Sequence, residues 1–475
     1  MFPIAKNYLS RHYILDFENI GVRILYFFNT LDTYFIVAGA GSFMLYHQIY
    51  NAGPCFFIKY IFLSLFVLLL FKISDFHPLF LVFSPIYLFF LFRHHSFSVF
   101  DIFILLFFNL LFFMIIQFLF MGIPESIVAR DITIGFRKIW LSIFTIAPTT
   151  VSMSMSLYFS TLYTLILYIQ PSVVSLDGQL FWFTAFLASL LTFFLKTKSF
   201  ISPKYMPCIK EMVCEKVIVI NIDGCRMDKF YEAKLPFLND LQQESSYFPN
   251  GIFTVYRALT NPAFASMLTG TIPGVHGIKS NNISRWKKVE ALPDLVQTKL
   301  YGSIHMKHLS KKHWMVKTVS MVQNGIGKAD HAMFSILKND LTIHDGTRLF
   351  IADISETDFT GHAYGSESPQ YLNALKKMDT QIKDLYAWLR TNNILSKAAM
   401  IICSDHGIVK IDHSYLLFEA EKRVPFLVMG KGIKKDNALH FEASIMDIAP
   451  TISYLLGIKY PDRCKARALT EILNM

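Results

Sequence analysis

The chain has 475 residues with a formal net charge of +10, and 53% of them are hydrophobic and 15% aromatic. That length leaves room for one well-cored soluble domain beside a strongly apolar half. The basic residues are dispersed and several flank apolar runs, which excludes a nucleic-acid partner and points to anchoring at a lipid bilayer.

Composition changes near position 200, since residues 1–199 are dominated by Phe, Leu and Ile. Apolar runs cover 24–46, 56–74, 77–92, 99–121, 139–169 and 180–195. A membrane-crossing helix needs about 20 mostly apolar residues, so residues 1–199 are expected to be an all-helical transmembrane domain of about six spans. Pro148 and the Ser-rich stretch after it mark a kink or re-entrant break in the fifth run. Asp32 interrupts the first run, which argues against a cleaved signal peptide, and Asp32 and Gln117 are read as interfacial or helix-contact residues.

A basic, proline-containing linker (200–215) leads into a soluble domain, 216–475. Its pattern predicts a strand at 217–222, a helix near 232–245, a helix after Asn261, a surface or edge segment at HMKHLSKKHWMVK, and a strand at 348–354. Then follow a helix at 369–391, a strand at 398–403, a strand in VPFLVMG, and a closing helix in SIMDIAPTISYLLGI. Strands alternating with helices of this length give an α/β fold, a mostly parallel sheet flanked by helices.

Three of these strands deliver carboxylates to their ends. VIVINIDG closes on Asp223, Asp358 and His362 follow RLFIADI at a four-residue spacing, and AAMIIC runs into Asp405 and His406. The carboxyl ends of such strands are where open α/β sheets place their sites. With His413 in KIDHS the set has three carboxylates and three imidazoles, a mixture that suits zinc, manganese or iron. Thr260 precedes Asn-Pro and a helix, so its hydroxyl sits where backbone N–H groups favour an anion, and a metal would activate it as a nucleophile. His276 is read as a turn or cap residue, His305, His308 and His313 as solvated, and His440 as a weaker rival of His413.

At these residues the chain resembles the alkaline phosphatase superfamily, and within it the nucleotide pyrophosphatase/phosphodiesterase group. INIDG, LTNPAFASMLTGTIPGVHGI, DFTGHAYG, SDHG and DIAPTISYLLGI look like its successive blocks, over about residues 215–460. The resemblance implies two divalent metal ions, most simply Zn2+ with Mn2+ as the alternative. Asp358, His362 and His413 would hold one, and Asp223, Thr260, Asp405 and His406 the other. It also implies Thr260 as the nucleophile and Asn281 on the phosphoryl oxygen. Ala263 and Phe264 depart from the pair usual after the proline, and His413 follows His406 closely.

The function expected is hydrolysis of a phosphodiester on a membrane-associated or lipid-linked substrate, through a phosphothreonine. Alternatives are a membrane transferase of phosphoethanolamine or glycerophosphate, a sulfatase, and a non-enzymatic scaffold with a decayed hydrolase domain. No Cys-x-Pro-x-Arg block stands at the nucleophile position, which disfavours the sulfatase. Lys6, Arg11 and Arg23 precede the first run, Arg130, Arg137 and Lys138 fill the fourth loop, and Lys196, Lys198 and Lys204 follow the sixth. With an even number of spans this places the soluble domain of a multi-pass protein on the cytoplasmic face. The odd set Cys208, Cys214, Cys225, Cys403 and Cys464 agrees with a reducing compartment.

Overall fold

The computed structural model describes residues 198–474 except 210, 257, 280–285, 410–412 and 414–418. The expected spans of the N-terminal half, with Asp32 and Gln117, and the expected phosphoryl contact Asn281 lie outside the described residues. Among the described residues no helix is long and apolar enough to cross a membrane.

The strands are β1 (Lys216–Ile222), β2 (Ser245–Tyr247), β3 (Ile252–Phe253), β4 (Thr298–Gly302), β5 (Met315–Thr318), β6 (Leu349–Ile354), β7 (Ala398–Cys403), β8 (Arg423–Val424), β9 (Phe426–Gly430) and β10 (Asn437–Ala438). Eight form one sheet in the order β10-β2-β9-β7-β1-β6-β4-β5, and β3 pairs with β8 apart from it. From β7 to β5 the pairing is parallel, while β9 runs antiparallel to β7 and β2. The mostly parallel sheet flanked by helices is the expected α/β architecture.

The main helices are α1 (Thr260–Thr269), α2 (Ile326–Leu341), α3 (Glu356–Tyr364), α4 (Pro369–Thr391) and α5 (Ile448–Leu456). Alternation along β1 sends Val217 and Val219 to one face, where Phe264 and Met267 of α1 and Ile452 of α5 pack. Ile218, Ile220 and Ile222 go to the other, against Met333 and Leu337 of α2 and Met378 and Ile382 of α4. Both faces are therefore buried, which is why β1, β6 and β7 are nearly continuous apolar runs. Each such side chain contributes roughly 1.5–3 kcal/mol on burial.

Three segments differ from the sequence expectation in detail. The helix expected near 232–245 is two short helices, Met227–Glu232 and Pro236–Leu241, because Lys234 takes a left-handed conformation (φ 50°) and Pro236 can only begin a helix. Pro425, which lacks an N–H, divides VPFLVMG between the small sheet and β9. HMKHLSKKHWMVK becomes a helix, Ile304–Leu309, followed by the edge strand β5. His313 is exposed there, but His305 is fully buried rather than solvated.

Candidate metal centre

The carboxyl ends of β1, β6 and β7, neighbours at the middle of the sheet, carry the site. Asp223 leaves β1 directly, and Gly224 after it turns the chain at φ 68°, its N–H 3.4 Å from Oδ1 of Asp405. Asp405 and His406 follow β7 in an irregular loop, where adjacent residues can face one point.

Asp358 and His362 lie one turn apart on α3, with Oδ2 and Nε2 3.3 Å from each other. The N-terminus of α3 is fixed by the buried Asp330 of α2, which accepts from the N–H groups of Ser355 (3.3 Å) and Glu356 (2.8 Å). Burial pushes the Asp330 carboxyl well up, against the pull of those two N–H groups. Thr260 is the first residue of α1 and is buried, with Oγ1 3.3 Å from Nε2 of His406.

Among the described residues two groups of donors result, and within each the ligand atoms all lie within 4.8 Å of one another. One is Asp358, His362 and His413, the trio expected from sequence. The other is Asp223, Asp358 and His406, so the Asp358 carboxylate belongs to both. Asp405 Oδ2 stands 3.4 Å from His406 Nε2 beside the second group. His276 and His440 lie in neither group; His276 is buried behind α1, hydrogen-bonded to Ser266, and His440 is exposed.

The imidazoles are oriented for cation binding. His413 Nδ1 faces the carbonyl of Ala258 at 2.5 Å and His406 Nδ1 that of Gly407 at 3.2 Å. Each Nδ1–H therefore donates to backbone, which leaves the Nε2 lone pairs directed into the site. Nε2 of His413 and His362 are 3.3 Å apart, a close approach of two nitrogens that a cation between them relieves. Oδ1 of Asp223, Oδ1 of Asp358 and Oδ2 of Asp405 are buried without a hydrogen-bond partner. Three orphaned carboxylate oxygens beside aligned imidazole nitrogens fit a divalent cation centre.

Electrostatics say the same. Burial, then the charges of Asp405 and Asp358, pushes the Asp223 carboxyl well above the usual range. Burial and then Asp353 and Asp358 do the same to Asp405. Asp358 is held low by His362 and His413 although burial opposes this, and burial drives His406 down to about 4. Carboxylates crowded in this way are stable as anions only beside added positive charge.

The sequence reading missed Asn221 and Asp353. Both are buried, Asn221 two residues before Asp223 and Asp353 five before Asp358, and Asn221 Nδ2 donates to Asp353 Oδ1 at 2.7 Å. They are the polar interruptions in VIVINI and LFIADI, the signal by which they were legible.

Residues 217–432 match the family model described as type I phosphodiesterase / nucleotide pyrophosphatase. That match supports the expected superfamily. An uncharacterized pyrophosphatase/phosphodiesterase of Schizosaccharomyces pombe is 26% identical over 226 residues, 42% of this chain and 46% of that one. GPI ethanolamine phosphate transferase 2 of the same yeast is 24% identical over 309 residues, 55% of this chain and 39% of that one. The chain spans less than half the length of these two relatives. The solved structure of murine ectonucleotide pyrophosphatase/phosphodiesterase 5 superposes with a TM-score of 0.44 at 14% identity, covering 51% of this chain and 95% of that one. The matched segment is an enzyme domain.

Proposed function

We propose that the chain is a metal-dependent phosphodiester hydrolase that works through a phosphothreonine at Thr260. The observation that carries this reading is the Thr260 hydroxyl, buried at the first position of α1 and 3.3 Å from His406 Nε2. Asp358, His362 and His413 would hold one divalent ion, and Asp223, Asp405 and His406 with Thr260 the other; their mixed donors suit zinc, with manganese as the alternative. Such ions supply Lewis-acid polarisation of phosphoryl oxygens and lower the pKa of a bound hydroxyl.

The chain's own residues do the rest. Thr260 Oγ1 bonds to phosphorus as the bond to the leaving alcohol oxygen breaks, and the first N–H groups of α1 face the charge that develops. The resemblance assigns Asn281 the same task. Water then attacks the phosphothreonine, releasing a phosphomonoester and restoring Thr260.

The apolar stretch 1–199 favours a membrane-associated or lipid-linked diester, with the domain of a multi-pass protein on the cytoplasmic face. A second reading is transfer of a phosphoethanolamine-type group to an acceptor alcohol instead of water. The match to the yeast transferase, longer than that to the yeast phosphodiesterase relative, favours it.

The test uses purified protein and a chromogenic phosphodiester. Thr260→Ala turns over no diester and Thr260→Ser retains a part, both with the zinc content of the unaltered protein. Full turnover by Thr260→Ala removes the mechanism. Labelled membrane lipids, scored for water-soluble head groups against modified acceptors, separate hydrolysis from transfer.

A further inference from the structure

At the carboxyl end of the sheet one face turns polar in three adjacent strands. Alternation places Asn221 on the β1 face that carries Val217 and Val219, Asp353 on the β6 face of Leu349 and Ile351, and Cys403 on the β7 face of Ala399 and Ile401. The register sets Asn221 directly beside both Asp353 and Cys403. The next strand, β4, ends there in Gly302, whose missing side chain leaves room: a Cβ would meet Asp353 Cβ at 3.4 Å and Met306 Cγ at 2.4 Å.

Into that space comes His305, from the helix that follows β4. Its Nε2 lies 2.9 Å from Asp353 Oδ2, off the line of a well-aligned hydrogen bond, and its Nδ1 is held by the hydroxyl of Ser303. Ser355 Oγ adds a weak contact to the same carboxylate at 3.5 Å. Asn221, Asp353, His305 and Ser303 are all at most 1% exposed. No solvent route or substrate reaches such a cluster, so the serine–histidine–aspartate order does not make it a second hydrolytic site.

The cluster has one outlet. Asn221 gives one amide hydrogen to Asp353 Oδ1 at 2.7 Å and its carbonyl oxygen accepts from the Cys403 thiol at 3.9 Å, so its side chain ties β1 to both neighbours two residues before Asp223 and Asp405. With its oxygen on Cys403 and its amide on Asp353, the carboxamide has one orientation. We propose that Asp353 and His305, braced by Ser303, are positioning residues for the metal centre: they lock the Asn221 carboxamide between β6 and β7, and so hold the strand ends that carry Asp223 and Asp405 to the ion these share with His406. This rests on the metal-centre reading above and adds to it residues that touch no metal. Outer partners of metal ligands commonly change affinity 10–100-fold when altered.

The experiment is a zinc titration of the metal-free full chain against a competing chelator, following both ions in unaltered protein and in His305→Gln, Asp353→Asn and the milder Ser303→Ala. Unfolding of each metal-free variant is followed in parallel. The proposal expects one of the two ions to weaken at least tenfold in His305→Gln and Asp353→Asn and by less in Ser303→Ala. The ion held by His362 and His413 stays within about twofold. Equal weakening of both ions in proportion to lost stability, or unaltered affinity in all three variants, overturns it. Unaltered protein that takes up no zinc overturns the metal-centre reading itself, a result distinct from variants that bind as the unaltered protein does. Should Asp353→Asn not fold, the comparison of His305→Gln with Ser303→Ala decides alone.

Discussion

His406 and His413 stack face to face, their ring centroids 3.8 Å apart and their planes inclined by 19°. Both Nδ1 atoms are committed to backbone carbonyls, so neither ring can turn without losing a hydrogen bond. Two imidazolium ions in that contact would repel strongly, and burial already disfavours charge on His406. The stack is thus a neutral pair built to give electron pairs to cations, and it joins the two donor groups mechanically.

Removing metal therefore leaves crowded carboxylates and facing nitrogens with nothing between them. Dialysis against a chelator is expected to abolish diester turnover and lower the Tm, and added zinc to restore both. A ligand bound only by the folded state contributes about 2.7 kcal/mol at 100 times its Kd, so the Tm should climb with zinc concentration. Scanning fluorimetry on metal-free protein measures this, and a Tm indifferent to zinc and manganese contradicts the centre.

Gly224 makes the approach of β1 to α3 possible. At its φ of 68° a Cβ would lie 2.7 Å from Oδ1 and 2.9 Å from Cα of Asp358, and the carbonyl is pinned by the Tyr371 hydroxyl at 2.7 Å. Gly224→Ala must strain the turn or displace the carboxylate shared by both donor groups. The expected cost is about 1–3 kcal/mol of stability with loss of bound zinc. Elemental analysis together with urea unfolding reads both, and full zinc content would refute the shared role of Asp358.

Much of this was legible because β1, β6 and β7 are buried on both faces and announce themselves as apolar runs ending in Asp223, in Asp358 one turn on, and in Asp405. The alternation also carried Asn221 and Asp353, but a polar residue inside a buried strand has no visible partner until the register places β6 beside β1. His305 misled because its neighbours Lys307, Lys311 and Lys312 suggest a solvated run, whereas helical spacing turns His305, Met306 and Leu309 inward. The sequence reading passed over α2, although its stripe Ala329, Met333, Leu337, Leu341 is a four-residue repeat, and the bracing of α3 through Asp330 depends on tertiary contact alone.

The cysteines give a prediction in which the structure narrows the sequence reading. Among the described residues Cys208 is the exposed cysteine, while Cys214 is buried and its thiol pushed up to about 11, chiefly by burial. A thiol reagent at neutral pH should label Cys208 rapidly in folded protein and spare Cys214. Mass spectrometry of the two peptides checks it; comparable labelling of both would mean that the segment leading into β1 is not packed on the domain as Cys214 N and Leu455 O, 3.0 Å apart, indicate.

His276 predicts how the domain answers acid. It is fully buried at the end of a short helix, with Nδ1 accepting from the Ile278 N–H at 3.1 Å and Nε2 3.0 Å from Ser266 Oγ, an arrangement that suits the neutral ring. Burial, with Lys287 adding to it, lowers its pKa from 6.5 to about 3. Above pH 6.5 neither state binds the proton and the histidine contributes no pH dependence. As pH falls below that value the unfolded chain takes up a proton that the folded domain refuses, so stability drops until the folded value near 3 is reached. Between pH 7 and pH 5 the loss from this residue alone is about 2 kcal/mol. His276→Gln can keep both hydrogen bonds and has no such proton, so its urea unfolding free energy should fall by about 2 kcal/mol less over that interval than that of the unaltered protein. Parallel curves for the two proteins would mean that the ring accepts a proton in the folded state.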